Sequence, residues 1–183
     1  LEGKTILIAG AAGFVPSTVA EFYLKLGADV IGLDNFVTGS KSNIEILNKF
    51  EKFKFYEQNI YEGLPDFNGV KIDYIFSLAS PASPIDFSEI PLEIMRVNSE
   101  GTLALLMLAK EKGARFLEAS TSEVYGDPEI HPQTEDYVGH VNPIGPRACY
   151  DESKRFAEAL TTSFAKKYNI ETRIIRIFNT YGP

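Results

Sequence analysis

Tyr150 and Lys154 stand four residues apart in the run Pro146-Arg-Ala-Cys-Tyr-Asp-Glu-Ser-Lys154. On a helix that spacing puts both side chains on one face, one turn apart. An ammonium beside a phenol lowers the phenol's pKa, and a phenol tuned in that way takes a proton from a hydroxyl while a hydride leaves the same carbon. Thr121, in Ala119-Ser-Thr-Ser-Glu-Val-Tyr-Gly126, supplies a hydroxyl that hydrogen-bonds the same oxygen. The three side chains together suit the oxidation of a secondary alcohol.

Such chemistry needs a rigid frame. Short apolar runs alternate with longer periodic segments, the pattern of βαβ units around a parallel sheet. Strands are predicted at Thr5–Ala9, Asp29–Leu33, Lys54–Glu57, Tyr74–Leu78, Phe116–Ala119 and Thr172–Ile177. Helices are predicted at Ser17–Leu26, Ser42–Phe50, Pro91–Lys112 and Pro146–Tyr168. Gly113 ends the third helix in the favoured way, and its stripe of Ile94, Val97, Gly101, Leu105 and Leu108 reads as core packing. The irregular part, Gly126–Gly145, is long enough to be a functional loop on a rigid scaffold.

After the first strand comes Gly10-Ala-Ala-Gly13-Phe-Val-Pro16. In a dinucleotide fold the first glycine makes the tight turn and the second lets backbone approach a pyrophosphate at the helix N-terminus. Pro16 stands where Gly or Ala is usual, and is expected to shift the helix start and weaken that contact. Asp34 ends the next strand, where a carboxylate accepts both ribose hydroxyls and repels a 2′-phosphate. NAD is therefore expected over NADP, and no Arg follows in Asn35-Phe-Val37 to rescue a phosphate. The fold class expected is α/β, a Rossmann-type doubly wound parallel sheet with helices on both faces, with residues 1–183 forming one NAD-binding domain.

Composition narrows the partners. The chain has 183 residues, 44% hydrophobic and 23% charged, enough for one sizeable core. A net charge of −7 with no basic stripe makes nucleic acid and anionic membrane poor partners. Cys149 is the single cysteine, so a disulfide framework is excluded and a reducing, cytoplasmic setting is expected; the thiol reads as a small buried residue. The apolar stretch from Ile6 to Val15 is too short to span a bilayer, so no membrane contact is expected from this segment, and no metal site is expected either.

With Gly10-x-x-Gly13, Asp34, Thr121, Tyr150-x-x-x-Lys154 and Arg176-Ile-Phe-Asn-Thr-Tyr-Gly-Pro183 in order, the chain resembles the extended short-chain dehydrogenase/reductases that act on nucleotide sugars. Leu78-Ala-Ser-Pro-Ala-Ser-Pro84, Ala119–Pro128 and His140–Lys154 are most similar to the branch that decarboxylates UDP-glucuronate. The resemblance implies a closed redox cycle: NAD oxidises the sugar C4 hydroxyl, the β-keto acid loses CO2, and the hydride returns to give UDP-xylose. Tyr150 would be the base, Lys154 its tuner, Thr121 the hydrogen-bond partner and Glu123 a further catalytic residue. It also implies a homodimer packed through two helices per subunit, including Pro91–Lys112 and Pro146–Tyr168, and a substrate lobe beyond Pro183.

By the same resemblance, Gly10, Gly13, Phe14, Val15, Asp34, Asn35, Thr38 and Gly39 would hold the adenosine and pyrophosphate end of the cofactor, with Asn59 and Ile60 at the adenine edge. Leu78, Ala79, Ser80, Asn98, Tyr150, Lys154 and Arg176 would line the nicotinamide end. Pro81, Ser83, Ser122, Glu123, Arg147 and Asn179 would meet the UDP-sugar. A buried helix-to-loop hydrogen bond is the structural alternative for Asn98. Related 4,6-dehydratases carry Thr-Asp-Glu where this chain has Thr121-Ser-Glu123, and 4-epimerases carry small residues at both latter positions, so Ser122-Glu123 favours decarboxylation. The alternatives are a nucleotide-sugar 4,6-dehydratase or 4-epimerase, or a non-catalytic NAD-binding module.

Overall fold

A computed structural model describes residues 1–182, which leaves the last residue of the Arg176–Pro183 run outside the described residues. Six parallel strands form one sheet: β1 (Thr5–Ala9), β2 (Asp29–Asp34), β3 (Phe53–Glu57), β4 (Tyr74–Ser77), β5 (Arg115–Thr121) and β6 (Thr172–Ile177). Their order is β3-β2-β1-β4-β5-β6, so the winding reverses between β1 and β4. That reversal opens a crevice at the carboxyl ends of the two strands, the usual ligand position in such sheets.

Helices cover both faces. They are α1 (Phe14–Lys25), α2 (Lys41–Leu47), α3 (Pro84–Glu89), α4 (Pro91–Arg96), α5 (Thr102–Lys112) and α6 (Ala148–Tyr168). Strand alternation divides the core. Ile6 and Ile8 of β1 point to Ala20 and Leu24 of α1 and Ile44 and Leu47 of α2. Leu7 and Ala9 point the other way, into a cluster with Leu105, Leu106, Phe116 and Phe164 from α5, β5 and α6. Among the described residues no helix is long and apolar enough to cross a membrane.

Three local differences from the predicted elements have clear causes. The first helix starts at Phe14, not Ser17, because Gly13 is extended and serves as the N-cap. Pro16 thus sits buried in the first turn, where its missing N–H has no intrahelical partner to lose, and it does not shift the helix start. The long helix predicted over Pro91–Lys112 contains a π-helical turn at Val97–Gly101. A β-carbon at Gly101 would lie 2.8 Å from Ile60, so glycine there lets this widened turn close onto the core. The short helix α3 was absent from the predicted elements, although Ser83-Pro84 is a helix-start signal and Pro84 occupies its first turn.

Candidate active site

The crevice at the strand reversal is a cleft of about 620 Å³. Gly10, Gly13, Phe14 and Val15 line one end; Thr121, Ser122, Glu123, Arg147, Tyr150 and Lys154 line the other. Leu78, Ala79, Ser80, Thr38 and Asn179 close its sides.

The glycine end is built by packing. Gly10 has φ +86, and a β-carbon there would meet the Ala79 backbone at 2.8 Å, so the turns after β1 and β4 touch only because it is glycine. Gly10 and Ala11 donate their N–H groups to Leu33, while Ser17 N–H reaches back to Gly13. The first-turn amides of Phe14 and Val15 have no intrahelical acceptor and suit an anion. Asp34, at the end of β2, accepts from Ala12 N–H at 3.0 Å and Phe36 N–H at 2.7 Å, one bond per carboxylate oxygen. Each oxygen keeps acceptor capacity for a ribose hydroxyl. Burial pushes the Asp34 carboxyl up, and these two N–H bonds oppose it. Gly39 lies so close to Ala12 and Asp34 that a side chain would collide with both.

The other end is set by β5 and α6. Tyr150 is buried, stacked on Phe87 of α3 with ring centroids 4.9 Å apart, a contact worth about 1 kcal/mol. Burial raises its phenol pKa; the Thr121 hydroxyl and the Arg147 cation pull it down, and Asp151 and Glu118 push it up. Lys154 is buried one turn along, donating to the Ala119 carbonyl at 2.8 Å and lying 3.6 Å from Glu118. The Lys154 ammonium is held at β5, and Arg147 is a second cation near the phenol that pulls its pKa down. Glu123 follows Thr121 in a 3-10 turn, its N–H bonded to the Thr121 hydroxyl and its carboxylate ion-paired with Arg147.

Other expected residues fall elsewhere. Asn35 and Pro81 border an adjoining groove of about 60 Å³, whose edge Thr38 and Ser80 share with the cleft. Asn59 accepts from Tyr61 N–H beside it, while the Ile60 side chain is buried in the core. Asn98 sits in the π turn, where its amide donates to Ser80 at 3.1 Å and Ser153 at 3.0 Å; it ties the Ser80 loop to α6 and so takes the structural alternative. Ser83 is exposed at the N-cap of α3. Arg176, expected at the cofactor, instead grips both Glu158 oxygens at 2.8 Å and donates to the Tyr125 hydroxyl and Glu135 carbonyl, anchoring the Gly126–Gly145 loop. Cys149 is half-buried rather than buried, lies against the Phe87 carbonyl and has its thiol pushed up by burial, which disfavours the thiolate. Phe87 and the Glu123–Arg147 pair were not anticipated; the helix-start signal at Ser83-Pro84 was the available clue to the first.

Comparison with known proteins agrees with this geometry. The chain is 50% identical over 182 residues to UDP-glucuronic acid decarboxylase 1 of Xenopus tropicalis, covering 100% of this chain and 42% of that protein. It is 48% identical over 179 residues to UDP-glucuronic acid decarboxylase 6 of Arabidopsis thaliana, covering 97% of this chain and 51% of that one. The chain thus spans about half the length of the curated relatives it matches, or less. Among solved structures, the UDP-glucuronic acid 4-epimerase from Bacillus cereus in complex with NAD superposes with a TM-score of 0.81 at 30% identity, covering 98% of this chain and 58% of that one. The Thermotoga maritima UDP-glucose 4-epimerase gives 0.84 at 31%, covering 98% and 57%. Residues 6–183 match the NAD dependent epimerase/dehydratase family, and the chain belongs to it.

Proposed function

We propose that this chain is the nucleotide-binding half of an NAD-dependent decarboxylase that converts UDP-glucuronate to UDP-xylose through a 4-keto sugar. The observation that carries the reading is one cleft lined by Gly10 and Gly13 at one end and by Thr121, Glu123, Arg147, Tyr150 and Lys154 at the other. The donor set fits a dinucleotide: free first-turn amides for a pyrophosphate, a carboxylate with spare acceptor capacity for a ribose, and a buried ammonium at the far end. Held there by the Phe14 and Val15 amides, Asp34 and Lys154, NAD would supply a reversible hydride acceptor for the sugar C4 carbon.

The chain's own residues move protons and hold groups. Tyr150 removes the C4 hydroxyl proton as hydride leaves, with Thr121 donating to the same oxygen. Lys154, fixed on the Ala119 carbonyl at the cleft wall, has N–H bonds left that would donate to a bound cofactor. The new C4 ketone lies β to the carboxylate, so the C5–C6 bond breaks, its electron pair flows into the ketone oxygen and CO2 departs. Glu123, held by Arg147, handles the proton that returns to C5. The pair Ser122-Glu123 supports this over dehydration, which needs an acid for a departing hydroxide.

A 4-epimerase is the second reading, favoured by the two solved epimerases at 30% and 31% identity. The decarboxylases, at 50% and 48%, support the first more strongly. The test is incubation of the longer protein carrying the second lobe with UDP-glucuronate, UDP-glucose and dTDP-glucose. Release of CO2 with UDP-xylose is expected; an epimer of UDP-glucuronate without CO2 supports the second reading. Turnover of UDP-glucose with UDP-glucuronate untouched removes the first.

The proposed partner is a second copy of the chain, forming a homodimer. Leu92 and Met95 on α4, Leu103 and Met107 on α5 and Phe156 on α6 leave apolar surface exposed on the helices named for that contact. Light scattering of the longer protein at micromolar concentration tests it, and a monomer removes it.

A further inference from the structure

Glu118 is wholly buried in the middle of β5. It shares a strand face with Phe116, which packs into the α5–α6 core, and Ser120, which donates to Glu158 of α6 at 2.6 Å. Lys154 of α6 lies opposite, its Nζ 3.6 Å from Glu118 Oε1, with side-chain exposures of only 4% and 1%. Neither Glu118 oxygen has a hydrogen-bond partner of ordinary geometry. A carboxylate stripped of both water and hydrogen bonds persists only beside a counter-charge. Burial pushes the Glu118 carboxyl up, and Lys154 is the counter-charge that chiefly opposes this; the same ammonium donates to the Ala119 carbonyl at 2.8 Å.

We propose that Glu118 is a positioning residue for Lys154: from inside the sheet it keeps the side chain charged and pressed against Ala119 at the wall of the cleft. The inference rests on the reading of Lys154 as the cation facing the cofactor. The groups around the pair are Ser77 from β4, Tyr150 and Glu158 from α6, and Arg176 from β6, which already occupies Glu158. Burial weakens the hold of Lys154 on its proton and lowers its pKa on balance; Glu118, then Glu158, opposes that fall. Removing Glu118 leaves burial opposed by Glu158, whose charge is already paired with Arg176 and whose oxygen accepts from Ser120.

The test follows the Lys154 proton directly, by NMR of protein carrying ε-¹³C lysine, with the resonance assigned by its absence from Lys154→Met. Wild type is expected to keep Lys154 charged at neutral pH, whereas Glu118→Gln and Glu118→Leu should titrate about one pH unit or more lower. NAD affinity, measured by calorimetry, should fall roughly tenfold per pH unit above the new midpoint in those variants, while Glu118→Asp stays near wild type. A neutral Lys154 in wild type at neutral pH overturns the proposal, as does a folded Glu118→Gln that titrates like wild type. The wild-type titration decides the matter if neither variant folds. Failure of wild type to bind NAD would instead overturn the reading of the cleft and leave the lysine titration to judge the pair.

Discussion

Glu123 and Arg147 form an ion pair that joins the turn after β5 to the residue capping α6. Both line the cleft beside Tyr150, so the pair sets the wall that the sugar would meet. In the longer protein, Glu123→Gln is expected to spare formation of the 4-keto sugar and slow CO2 release. Following NADH absorbance and CO2 together separates the steps; a parallel loss of both would place Glu123 in the oxidation instead.

Tyr150 has a phenol pKa raised above the ordinary value, chiefly by burial. Its base form therefore grows as pH rises, and the oxidation rate should climb on the alkaline side. Arg147→Ala removes a cation that lowers this pKa, so the climb should move to higher pH. Tyr150→Phe should cost about 10²–10⁴-fold in the oxidation step. A pH–rate profile unmoved by Arg147→Ala would show that the guanidinium does not act on the phenol.

Asp34 should make the cleft discriminate against a 2′-phosphate. Two like charges about 4 Å apart at an effective dielectric near 20 repel by about 4 kcal/mol before screening. Titration with NAD and NADP should give the tighter binding to NAD, and Asp34→Asn should narrow the gap. Equal affinities in the wild type would remove Asp34 from this role.

Pro16 is expected to be benign. It sits in the first turn of α1, against Gly13 and with no helical hydrogen bond to forfeit. Pro16→Gly should lower stability by about 0.5–1 kcal/mol through the freer unfolded chain, and leave NAD affinity nearly unchanged. Tighter NAD binding in that variant would restore the idea that the proline obstructs the pyrophosphate.

Asp73 should govern part of the acid stability. Lys4 at 2.8 Å, the Thr5 N–H at 3.1 Å and Lys71 at 3.1 Å hold its carboxyl down, at about 2 against an ordinary 3.8. The unfolded chain binds the proton first, so the stabilisation is present above 3.8 and is lost as pH falls toward about 2. Asp73→Asn should flatten the melting-temperature profile across that window; an unaltered slope would show that the pairing contributes nothing net.

The strand–helix alternation, the parallel sheet and the chemistry of Thr121, Tyr150 and Lys154 were legible in the sequence, because periodicity and turn residues act over a few positions. Local signals also held Asp34 at the end of β2 and Gly10 in a tight turn. What only tertiary structure decided depends on side chains far apart in the chain. Arg176 reads as a cofactor residue by motif, yet Glu158 on α6 captures it. The packing of the Ile60 side chain against Gly101 in the core is likewise set by residues distant in sequence. Lys154 reads as the tuner of Tyr150 by spacing alone, yet Glu118 and the Ala119 carbonyl on the neighbouring strand decide where its charge rests. Helical spacing says that two side chains share a face; which buried partner satisfies each charge is settled by the packing of α6 on β5, where desolvation leaves no charge without one.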